Sequence, residues 1–74
     1  MTPNEKSAVK FYENEMERAK RIIANLVKNS ANLTEVEFSI AIREQLVRYD
    51  NARAYKDSIT TFAKYRERGH NVSN

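Results

Sequence analysis

Apolar residues in the first third of the chain recur three and four apart, at Val9, Tyr12, Met16, Ala19, Ile23 and Leu26. That spacing lays one stripe along one helix face, the pattern of a bundle or coiled-coil seam. "TPNE" at 2–5 supplies the start, with Thr2 as cap, Pro3 at the first helical position and Glu5 placed to close a capping box. Glu17 and Arg21 stand one turn apart with the acid first, and Lys28 suits the negative end of the helix dipole. A helix is predicted over 3–28. "NSAN" at 29–32 then predicts a turn, because Asn tolerates left-handed backbone and Ser and Asn compete for backbone hydrogen bonds.

"LTEVEFSIAI" at 33–42 carries two periods at once. Val36, Phe38, Ile40 and Ile42 alternate as in a strand, whereas Leu33, Val36 and Ile40 are spaced as in a helix. Helix is the better reading for three reasons. Asn32 with Glu35, or Thr34 with Glu37, builds a capping box. "REQLV" continues with strong helix formers. A lone strand would find no partner for its backbone groups, since no other segment alternates. The spacing predicts Leu33, Val36, Ile40 and Val47 as the seam against the first helix. Phe38, Ile42, Leu46 and Tyr49 then fall on roughly the opposite face. Phe11 and Ile22 form a weaker second surface on the first helix.

The remainder, through "KYRERG", is also helical in pattern. Tyr55, Ile59, Phe62 and Arg66 keep a 4-3-4 spacing, and Gly69 is placed to end the helix in the left-handed conformation. No Gly or Pro interrupts Tyr49-Asp50-Asn51, so a continuous helix is expected, with a slip of phase there like a coiled-coil stutter. A break at Asp50, giving a three-helix bundle, is the alternative. Continuous over 33–68, the second helix would be about 54 Å long against about 39 Å for the first. It would overhang its partner by roughly 15 Å, carrying Ile59 and Phe62 with it. The fold class is therefore all-α, a hairpin of two long antiparallel helices over residues 1–69, with a disordered polar tail expected at 70–74.

Size and composition sharpen this picture. A chain of 74 residues is short for a self-sufficient core, and such domains use disulfides, a metal or oligomerisation as a staple. There is no Cys, and His70 is the only His, so zinc and disulfide scaffolds are excluded. A homodimer forming a four-helix-type bundle is the expected staple. Phe11, Ile22, Phe38, Ile42, Leu46 and Tyr49 are the expected dimer or partner interface. No apolar run spans a bilayer and no signal sequence opens the chain, so the reading is cytoplasmic and without membrane contact.

Chemistry changes little. No nucleophile stands beside a base, no Gly-rich phosphate loop exists, and Glu13 with Glu17 lacks the Glu-x-x-His of di-iron bundles. No enzyme, cofactor, metal or small-molecule substrate is expected. Net charge is +3, with seven basic and four acidic residues in 43–74. Arg48, Arg53, Lys56, Lys64, Arg66 and Arg68, interleaved with Tyr, offer a nucleic-acid contact as the second reading. The first reading is a non-enzymatic, self-associating protein-interaction module, a regulator or adaptor of a larger protein.

Overall fold

The computed structural model of the chain describes residues 1–72. Two helices, α1 (Pro3–Lys28) and α2 (Glu35–Val72), pack antiparallel as a hairpin, joined by a single 3-10 turn at Ser30–Asn32. No strand occurs among the described residues. The hairpin is a rod, 61 Å long and only 18 by 13 Å across.

Local chemistry sets the helix starts. The Thr2 hydroxyl accepts from the Glu5 N–H at 3.1 Å, and the Glu5 carboxylate accepts from the Thr2 N–H at 2.8 Å. Thr34 and Glu37 repeat the box at 2.9 and 3.1 Å, so Thr34 and not Asn32 caps α2. Each box satisfies two of the backbone donors a helix start leaves without partners. The turn needs no left-handed residue, because no described residue has positive φ. Asn29 ends α1 with its side-chain amide donating to the Asn25 carbonyl at 2.9 Å. Helix wins from Glu35 onward, with Leu33 extended before the Thr34 cap, and α2 runs unbroken through Tyr49-Asp50-Asn51. It also runs through Gly69, where the sequence predicted an end, to Val72. The end of the tail expected at 70–74 lies outside the described residues.

The two faces of α2 are exchanged relative to the reading from spacing. The inward residues are Phe38, Ile42, Gln45, Tyr49, Ala52, Lys56, Ile59 and Ala63, all buried or half-buried. Val36, Ile40 and Val47, predicted as seam, are 67, 56 and 52% exposed. The reason is continuity. α1 presents a stripe along its whole length, from Val9 to Leu26, and needs a facing stripe of matching length. The inward set alternates steps of four and three without interruption from Phe38 to Ala63, so no stutter is needed. The set of Val36, Ile40 and Val47 gives out after Val47 and could cover only part of α1.

The register follows from the cross-helix contacts. Glu5 meets Arg66, Tyr12 stacks on Tyr55 with centroids 5.3 Å apart, Glu13 meets Lys56 at 3.1 Å, and Lys20 lies over the Tyr49 ring. α1 therefore reaches nearly to the end of α2, and the overhang predicted to carry Ile59 does not form. Ile59 is half-buried, while Phe62 stays exposed. Continued at the same step, the register leaves the first turn and a half of α2, Glu35–Ile40, beyond the end of α1. Only the connecting segment faces it.

Candidate functional site

What the seam buries is small. Among the described residues the buried ones are Ala19, Ala52 and Ala63, and no large side chain is fully buried. Alanines bring the two backbones close but remove little apolar area from water. One polar atom is caught in the seam: the Gln45 side-chain carbonyl oxygen is buried with no hydrogen-bond partner.

Beside this thin seam an open groove runs along one side of the hairpin. Its α1 wall is Phe11, Tyr12, Glu15 and Arg18. Its α2 wall descends in steps of four residues, through Val36, Ile40, Glu44 and Arg48 and, alongside, Ser39, Arg43, Val47 and Asn51. Rows four apart are the ridges that interdigitate when helices cross. Phe11, edge-on to Tyr12 at 5.2 Å, and the Tyr12–Tyr55 stack make an aromatic cluster at the far end. Phe11, Val36, Ile40, Val47 and Tyr55 are all more than half exposed, so the groove leaves a run of large apolar side chains open to water. A smaller depression, lined by Ser58, Thr61, Phe62 and Tyr65, lies farther along α2.

Of the six residues predicted as interface, Phe11 lines this groove. Leu46 is exposed but outside its lining, and Ile22, Phe38, Ile42 and Tyr49 are half-buried. Sequence reading missed Val36, Ile40, Val47 and Tyr55 as groove residues. Their signal was present in the spacing but was spent on the seam.

The basic residues of α2 do not form one stripe. At 100° per residue Arg53 and Lys64 fall on one flank, Arg48 and Arg66 on the opposite flank, and Lys56 faces the seam. Three of them hold acids: Lys56 with Glu13, Arg53 with Asp57 at 3.9 Å, and Arg66 with Glu5. The Glu5–Arg66 pair is bidentate, at 2.7 and 2.9 Å, and with the Met1 ammonium on Glu67 at 3.1 Å it clasps the open end of the hairpin. The guanidinium of Arg66, followed by the Thr2 backbone N–H, lowers the Glu5 carboxyl to about 2. The capping bonds from Thr34 lower that of Glu37 in the same way.

Among the described residues no three His, Asp or Glu side chains converge as a metal site, and Glu13 turns to Lys56. No helix among them is long and apolar enough to cross a membrane. In comparisons with known proteins, no family, no curated protein and no solved structure matches the chain.

Proposed function

We propose that the chain is a non-enzymatic protein-interaction module that self-associates through the open groove. A small regulator or adaptor of a larger protein is the role such a module would fill. The observation that supports this is the mismatch between the buried core and the exposed apolar surface. Three alanines make the buried core among the described residues, while Val36, Ile40 and Val47 stand more than half in water. Burying a Val or Ile fully stabilises by about 1.5–3 kcal/mol relative to leaving it exposed, so these three half-exposed residues hold about 2–5 kcal/mol in reserve for each chain. The stability expected of a domain this size is about 4–11 kcal/mol. An interface on the groove is thus comparable with the fold's own stability.

Sedimentation equilibrium and thermal unfolding over a hundredfold range of protein concentration test the reading. Wild type should be a dimer whose Tm rises with concentration, because association is linked to folding. Ile40→Glu, on the exposed side of α2, should weaken association. A wild type that stays monomeric with a concentration-independent Tm overturns the proposal.

A further inference from the structure

We infer that the occupant of the groove is a second copy of this chain, laid antiparallel across α2 about a twofold axis at the level of Ala41 and Ile42. This rests on the self-association proposed above and adds the geometry. The α2 groove residues up to Arg48 come in adjacent pairs four apart: Glu35-Val36, Ser39-Ile40, Arg43-Glu44 and Val47-Arg48. Reversing the helix about Ala41–Ile42 maps this set onto itself. Glu35 then falls opposite Arg48 of a second copy, Val36 opposite Val47, Ser39 opposite Glu44, and Ile40 opposite Arg43. Each correspondence is chemically sound. Glutamate meets arginine, valine meets valine, and a hydroxyl meets a carboxylate. The apolar stem of Arg43 lies over Ile40 with its head free to reach water. A twofold interface requires this self-complementarity, since the same patch serves both partners.

The alternative orientation, parallel, sets every residue of the patch against itself. Glu35 would face Glu35, and Arg48 would face Arg48, which is unfavourable for like charges at close range. The charges are also uncommitted. None of Glu35, Arg43, Glu44 and Arg48 makes an ion pair among the described residues, unlike Lys56, Arg53 and Arg66 on the same helix. The whole groove carries three acids, Glu15, Glu35 and Glu44, against three bases, Arg18, Arg43 and Arg48. A balanced lining suits a copy of itself and gives no steering toward a nucleic acid or an acidic peptide.

The chain has no Cys, so single cysteines report the geometry directly. Val36→Cys and Val47→Cys chains are mixed in equal amounts under mild oxidation. The antiparallel arrangement gives predominantly the mixed 36–47 disulfide. Predominant 36–36 and 47–47 products overturn the arrangement while leaving self-association standing, and a wild type monomeric in sedimentation overturns both. Charge reversal is the second measurement. Arg48→Glu should weaken dimerisation about tenfold by replacing two attractive pairs with two repulsive ones, and adding Glu35→Arg to it should restore most of the loss. In a parallel dimer like would still face like, so an unchanged dimerisation constant in Arg48→Glu counts against the proposal.

Discussion

Replacing Gln45 with Leu should stabilise the hairpin. Gln45 sits on the inward face of α2, between Ile42 and Tyr49 in the seam pattern, and its carbonyl oxygen is buried without a donor. An unsatisfied buried acceptor costs about 1–3 kcal/mol, a cost that disappears when the group is replaced by an apolar one of similar size. Leu also adds apolar burial at a half-buried position. Against this stands the misfit of a branched side chain in space shaped for a linear one, less than about 1.5 kcal/mol for a swap of similar volume. The net expectation is a gain of about 1–2 kcal/mol. For a domain of this size that raises Tm by about 5–10 °C. Thermal unfolding followed by circular dichroism, with wild type and Gln45→Leu compared over a dilution series and extrapolated to the concentration where Tm no longer changes, separates this gain from association. A Tm equal to or below that of wild type would refute the reasoning, since it would mean the carbonyl has a partner or the seam has no room. A polar residue in a seam also fixes register, so the gain should come with a less specific partner choice, visible as larger assemblies in sedimentation.

Ala19→Leu should act in the opposite direction: Ala19 has no exposed surface, and overpacking there should cost about 1–3 kcal/mol, read as a lower Tm against the exposed control Ala24→Leu. The Glu5–Arg66 clasp makes stability depend on acid. The Glu5 carboxyl is lowered from 4.5 to about 2, so its contribution is present above pH 4.5 and is lost as pH falls through 2. The Tm difference between wild type and Arg66→Gln should therefore close over that window and shrink with salt; a difference that is constant with pH would show that Arg66 acts through packing and not through the carboxylate.

The helices and their starts were legible in the sequence because they are set locally. Thr2 with Glu5 and Thr34 with Glu37 satisfy backbone donors three residues away, and the absence of Gly or Pro between Glu35 and Arg68 leaves α2 no place to break. The stripe from Val9 to Leu26 was legible too, since it is the only long apolar stripe on α1. Which face of α2 meets it was not. Val36, Ile40 and Val47 continue the spacing that starts at Leu33, and that local pattern selects them. The tertiary structure selected the face that stays in phase over the whole of α1, although it includes Gln45, Lys56 and the two small alanines Ala52 and Ala63. Packing two long rods rewards a continuous stripe and close backbone approach over a shorter patch. The patch is left facing outward, and its sequence-adjacent charges become a surface only when the helix fixes them four apart. Gly69 marks the same boundary between levels: it predicts a stop by its conformational freedom, yet α2 continues through it to Val72.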